Sequence, residues 1–280
     1  MRASVVIPVK DGARWLAGVL AAVQAEGPDE VLVIDSGSSD DSVALAQAAG
    51  ARVLEILPED FGHGRTRNLG VAETSGELIC FLTQDAEPVP GWLDAYRDAF
   101  ARDERIGAAF GPHLPRPDTS PMIARELEEF FAGFSPDGDV AIQRAADEDG
   151  WHPGFLSNAN AAYRRDVLER IPFRDVPYAE DQAFALDLYS SGGWKAYAPG
   201  AAVLHAHDYP WPEFMRRYFD EYRGLRETIG HVEVIGVRST AKHVRNEVAR
   251  DRAWMDERGI VGAQRAAWTA RSAAHHGGRR

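Results

Sequence analysis

The chain has 280 residues, a length for one large domain or two small ones, and enough to bury a sizeable core. Its 43 acidic and 31 basic side chains leave a formal charge of −12, which argues against broad binding to nucleic acid or to anionic lipid. The single cysteine, Cys80, excludes a disulfide within the chain and fits a reducing compartment.

At the N-terminus "ASVVIPV" is a short β-branched run and predicts a buried strand. No secretory leader pattern is present, and no apolar stretch reaches the ~18 residues that span a bilayer, so the expected location is the cytoplasm. "GARWLAGVLAAVQAEG" has apolar residues at helical spacing and a closing glycine. "DEVLVID" predicts a second strand, "SGSSDDS" a turn that can cap a helix, and "RVLEIL" a third strand. A helix follows at "TRNLGVAETSG", then a fourth strand at "ELICFLTQD", where Cys80 is expected to be buried and inert. "GWLDAYRDAFARDERI" predicts a helix and "GAAFGPHL" a strand. Strands alternating with helices predict an α/β domain with a parallel sheet covered on both faces. Ligands of such sheets bind at the carboxyl ends of the strands.

Beyond residue 112 the composition shifts to Pro, Asp and Ala, with one helix at "SPMIARELEEFFAGF". The stretch near 135–150 reads as a mobile loop suited to be a lid. Residues 212–230 and 239–272 read as helices, and the basic tail from 273 as disordered.

Polar residues cluster where apolar strands stop. Asp35 ends a strand before small residues, so its carboxylate suits a base or sugar, or equally turn chemistry and a helix cap. "FGHGRTRNLG" sets glycines beside Arg65, Arg67 and Asn68, as a diphosphate site needs and as a surface loop also shows. In "FLTQDAEPVP", Asp85 and Glu87 offer oxygen to a hard divalent ion or merely end a strand. Glu180 and Asp181 open a helix, where the dipole favours acids and where one of them could act as a general base. His205 and His207 share one face of an extended segment and suit a metal, a phosphate or a structural role. The sequence contains neither GxGxxG nor GxxxxGK[ST].

In order, "SVVIPVKDG", "VLVIDSGSSDDS", "GRTRNLG", "GELICFLTQDAEP", "LSNANAAYRRDVL" and "YAEDQAFALDLYSSG" resemble family 2 glycosyltransferases of the GT-A fold, over residues 3 to about 208. "FGHGRTRNLG" with "FLTQDA" is similar to the bacterial rhamnosyltransferase-like members, which use a deoxythymidine diphosphate sugar to build surface polysaccharide. The resemblance implies a Rossmann-like, mainly parallel sheet in residues 1–210, with a nucleotide-binding half (1–111) and an acceptor-side half (112–210). A helical extension over 211–272 and a tail over 273–280 would follow.

It implies that Pro8, Val9, Asp35, Ser36, Arg67, Asn68 and Gln84 serve the nucleotide. Asp85 would hold Mg²⁺ or Mn²⁺, with His205 or, slightly preferred, His207. Asp181 would be the catalytic base with Glu180 beside it, and Trp151, His152 and Asn158 would face the acceptor. The family's metal motif is usually Asp-x-Asp, and Thr83 stands here at the first acid. The implied reaction is inverting transfer from a nucleoside-diphosphate sugar to a glycan or lipid-linked acceptor. The alternatives are a nucleotidyltransferase making sugar nucleotides, which "PVKDGARWL" suits poorly, and a non-catalytic binding protein. The helices after 212 could dock on a membrane or a second copy, though packing on their own domain is the plainer reading.

Overall fold

β-Branched runs in this sequence become strands, and the amphipathic segments between them become the helices that cover the sheet. The structure, a computed structural model, describes residues 1–145, 152, 154–232 and 236–278. In chain order the elements are β1 (Ala3–Val9), α1 (Ala13–Ala25), β2 (Glu30–Asp35), α2 (Ser42–Ala48), β3 (Arg52–Glu55), α3 (His63–Glu73), β4 (Leu78–Leu82) and β5 (Glu87–Pro88). Then come α4 (Trp92–Ala101), β6 (Ile106–Phe110), β7 (His113–Leu114), α5 (Pro121–Ala132), β8 (Ala141–Gln143), β9 (Asn160–Arg164) and α6 (Arg165–Arg170). The chain continues with α7 (Glu180–Ser190), β10 (Trp194–Tyr197), β11 (Val203–Leu204), α8 (Trp211–Ile229), α9 (Val237–Glu257) and α10 (Gly262–Gly278).

The chain divides into two compact units, Met1–His113 with Phe131–His205, and Leu114–Phe130 with Ala206–Arg280. The first holds an eight-stranded sheet of order β3-β2-β1-β4-β9-β6-β10-β8. β1 to β4 are mutually parallel, as are β6 and β10, while β9 and β8 run antiparallel to their neighbours. Val5, Val6 and Ile7 are fully buried in succession, as in a strand covered on both faces. Leu16, Val19, Leu20 and Val23 form the buried stripe of α1, each worth about 1.5–3 kcal/mol of burial. Cys80 lies buried in β4, and burial pushes its thiol pKa up, leaving it unreactive.

The chain leaves β1 towards β2 on one side and later returns to place β4 on the other. That reversal opens a crevice at the carboxyl ends of β1 and β4. β9 runs antiparallel beside β4, with Asn160 opposite Leu82, so its first residues join the same end. Gly111 makes this crowding feasible, because a Cβ there would stand 1.7 Å from the Ala201 carbonyl oxygen.

In the second unit Arg125 of α5 is 1% exposed and paired with Glu247 and Asp251 of α9. A buried guanidinium needs such partners, and this groups residues 114–130 with the C-terminal helices rather than with the acceptor-side half. The single helix expected over 239–272 is two, broken where Gly259 and Gly262 take φ of 70° and 64°. The tail expected to be disordered from 273 stays helical to Gly278, held by the buried Ser272, His275 and His276. Within the expected lid, Ala141–Gln143 pairs with β10, and residues 146–150 lie outside the described residues. Among the described residues no helix is long and apolar enough to cross a membrane.

Candidate functional site

The loops after β1 and β2 are laced together. Val9 O accepts from Ser36 N at 3.0 Å and from Ser36 Oγ at 3.1 Å. Asp35 Oδ1 accepts from the backbone N–H groups of Gly37 and Ser38, both at 2.9 Å, and Ser38 Oγ donates to Oδ2. Asp11 takes Ser39 N at 2.7 Å, Asp40 takes Ala13 N at 2.9 Å, and Ser42 Oγ takes Gly12 N at 2.8 Å. Much of the polarity of "DSGSSDDS" is therefore spent shaping the crevice wall. Gln84 bridges to β1 in the same way, its Oε1 accepting from Lys10 N at 2.8 Å and its Nε2 donating to Lys10 O at 3.1 Å. Pro8 is half-buried beside Val9.

A second group forms where α3 meets the start of α7. Arg67 Nη1 lies 2.9 Å from Glu180 Oε1, both side chains being 7% exposed, and also donates to His63 O at 3.0 Å. Asn158 binds both acids at once. Its Nδ2 donates to Glu180 Oε1 and its backbone N to Asp181 Oδ2, each at 2.9 Å. Tyr163 OH donates to Asn158 Oδ1 at 2.7 Å, and Gln182 N to Asp181 Oδ1 at 2.8 Å. Ala179, at φ 56°, turns the chain into α7 through the left-handed region, which costs a non-glycine residue roughly 1–2 kcal/mol.

Asp181 keeps a partial opening to solvent. Burial first, then the neighbouring charge of Glu180, raise its pKa to about 7, against the Asn158 and Gln182 N–H bonds and the charge of Arg67. Burial likewise lowers the pKa of His63.

Asn68 faces elsewhere. Its amide brackets Phe173, donating to O at 2.9 Å and accepting from N at 3.0 Å. Gly64 explains that approach, since a Cβ would meet the Arg174 carbonyl oxygen at 2.1 Å. The glycine read as flexibility for a diphosphate thus serves close packing of α3. Arg65 is half exposed and donates to Phe61 O.

At the end of β4, His205 Nε2 stands 3.5 Å from Asp85 Oδ1. His113 braces that imidazole, with ring centroids 4.9 Å apart and the two Nδ1 atoms at 3.4 Å. Thr83 Oγ1 is buried and meets no hydrogen-bond partner among the described residues. Glu87 pairs in β5 opposite Leu204 and approaches Gly18 of α1. His207 lies two residues beyond His205, exposed, in the second unit, stacked on Tyr209.

Of the acceptor-side residues, Asn158 is buried in the Glu180–Asp181 group and His152 is exposed at φ 43°. Trp151 lies outside the described residues. His113 and Tyr163 escaped the sequence reading. The signal for His113 was the one that picked out Asp85, a polar residue just after an apolar strand. Tyr163 carries no such signal inside "NAAYR".

The profile of "Glycosyl transferase family 2" matches residues 4–172. An O-antigen chain rhamnosyltransferase of Salmonella typhimurium is 35% identical over 229 residues, 79% of this chain and 71% of that protein. A second one, from Salmonella anatum, is 31% identical over 204 residues, 70% of this chain and 62% of the relative. Among solved structures, a mannosyltransferase of Pyrobaculum calidifontis in complex with GDP-Man and Mn²⁺ superposes with a TM-score of 0.62. It is 17% identical and covers 99% of this chain and 85% of its own. Glucosyl-3-phosphoglycerate synthase of Mycobacterium tuberculosis with Mn²⁺, UDP-glucose and glycerol 3-phosphate gives 0.58 at 25% identity, over 82% and 81% of the two chains. The sheet is thus that of the GT-A glycosyltransferases.

Proposed function

The chain belongs to glycosyl transferase family 2, and from that premise we propose an inverting transfer to a glycan hydroxyl with Asp181 as general base. The observation that carries this reading is a largely buried carboxylate, fixed by two backbone N–H groups beside a second acid, whose pKa is raised to about 7. Such a group is largely ionised just above neutral pH and basic enough to take a proton. The acceptor oxygen attacks the anomeric carbon, its proton passes to Asp181, and the bond to the diphosphate breaks with the electron pair on the leaving phosphate. Asn158 and Gln182 orient the carboxylate. Arg67, by neutralising Glu180, keeps the pKa of Asp181 from rising further.

The rhamnosyltransferase relatives support a rhamnose donor, which the resemblance read in the sequence pairs with deoxythymidine diphosphate, and the UDP-glucose complex supports a UDP sugar as the second reading. The framework of Pro8, Val9, Asp35, Ser36 and Gln84 would receive the base and ribose.

Asp85 and His205 fit a divalent ion. Their oxygen and imidazole donors suit Mn²⁺ or Mg²⁺. Bound there, the ion would neutralise the charge developing on the diphosphate. Met215 and Phe219 are exposed on α8, where contact with the membrane of a lipid-linked acceptor, or with a second copy, would fall.

The test is turnover. With acceptor and Mn²⁺, one of the two donors should release nucleoside diphosphate, and excess chelator should abolish that release. Full turnover in chelator would remove the ion from the reaction. Activity should also rise with pH along an acid limb near 7, because the base must lose its proton. Glu180→Gln removes the like charge and should move that limb to lower pH. An unmoved limb would detach it from Asp181. Stability runs the opposite way. Between the ordinary 3.8 and about 7 the folded state holds a proton that the unfolded chain releases, so this group's contribution falls as pH rises.

A further inference from the structure

In the second unit the end of α10 turns two adjacent histidines inward against α5. His275 Nε2 lies 3.2 Å from Glu126 Oε2, and His276 Nδ1 lies 3.5 Å from Glu126 Oε1. One ligand atom from each of the three residues lies within 4.8 Å of the other two. His276 is fully buried and His275 is 6% exposed.

The protons decide what this cluster can be. His276 Nε2 stands 2.7 Å from Asp251 Oδ2, a carboxylate that also accepts from Arg125 Nε and Ser272 Oγ. An ionised carboxylate only accepts, so Nε2 carries the hydrogen. In the neutral ring Nδ1 is then a lone pair. It points towards another acceptor, Glu126 Oε1, and makes no hydrogen bond among the described residues. A lone pair facing a carboxylate in a buried place needs a cation between them, either a second proton on the ring or a metal ion.

The geometry favours the metal. Bonds of about 2.0–2.2 Å to a tetrahedral zinc place neighbouring donors roughly 3.4 Å apart, close to the distance of each imidazole nitrogen from its own Glu126 oxygen, and one donor atom from each residue lies within 4.8 Å of the others. Consecutive residues of a helix can reach one ion because His275 offers its distal nitrogen and His276 its proximal one, with the rings at 83°. Asp251 behind His276 is the carboxylate that commonly orients a metal-binding imidazole. His275 also borders a small cavity of about 80 Å³ lined by Ile123, Phe214, Ala274 and the Asp208–Arg271 ion pair.

We propose that Glu126, His275 and His276 bind one Zn²⁺ that ties the end of α10 to α5. This site is independent of the Asp85 group and of the transfer reaction. The full chain, stripped with chelator and exchanged into clean buffer, is titrated with Zn²⁺ alone and followed by thermal unfolding and by zinc retained after dialysis. At a hundredfold excess over Kd the melting temperature should rise by about 5 °C or more. Co²⁺ in place of zinc should give the visible absorption of a tetrahedral site. Glu126→Gln, which keeps the shape of a partly exposed side chain, and His276→Asn should each abolish the rise, whereas Asp85→Asn should keep it. A chain that retains no zinc and melts unchanged would leave His276 as a doubly protonated ring and overturn the site. So would a rise that survives Glu126→Gln or vanishes in Asp85→Asn.

Discussion

Asp181→Asn is expected to lower kcat by about 10³-fold, within the range for losing a general base. The amide keeps the size of the carboxylate but cannot take the acceptor's proton at neutral pH. It keeps one oxygen to accept from Asn158 N or Gln182 N, and places an amino group opposite the other donor. It also removes one of two adjacent charges, so the folded state should lose little stability above neutral pH. Initial rates on saturating donor, with nucleoside-diphosphate affinity measured alongside, separate the outcomes. Retained transfer would end the assignment of Asp181 as base. A lost rate together with lost nucleotide affinity would move the residue to the donor site.

The largest effect on stability is expected from Arg67→Met. Arg67 and Glu180 are a buried pair, and removing the cation leaves the Asn158 amide as the hydrogen-bond donor to Glu180 among the described residues. Breaking such a pair from one side costs about 3–5 kcal/mol, because the remaining charge is buried without compensation. The double variant Arg67→Met with Glu180→Gln should recover most of that loss, since no charge is then stranded. Urea unfolding midpoints at fixed pH read both numbers. A single-variant cost below about 1 kcal/mol would mean that the pair behaves as a solvated surface contact. Arg67 also holds the pKa of Asp181 down, so residual activity should show its acid limb at higher pH.

These two residues show the reach of sequence reading. Asp181 was legible because an acid pair opening an amphipathic helix is a local signal. Asp35 and Asp85 were legible for the same kind of reason, each standing where an apolar strand ends. The α/β alternation is likewise local, since the 3.6-residue and two-residue periods sit within short windows. The pairing of Arg67 with Glu180 was not legible, nor was the bracketing of Phe173 by Asn68 across 105 residues of chain. Both read equally well as diphosphate ligands, because the composition of a loop does not say what it packs against. The two-residue strands β5, β7 and β11 are too short to carry a period. The final helix ran past its expected end because its last turn is held by residues of α5 and α9.

By itself the sequence determined the family, the alternation of strands and helices over the first hundred-odd residues, and which acids stand at strand and helix ends, since these depend on neighbours along the chain. Only the tertiary structure decided which of those polar groups are consumed by one another. It gave Asp35 and Gln84 to the crevice wall, Asn68 to the backbone of Phe173, and Arg67 to Glu180. It left Asp181 with a raised pKa and set His205 against Asp85. The physical reason is that hydrogen bonding and desolvation act over a few ångströms in space. Such distances join residues far apart in the chain, where no periodicity or spacing records them.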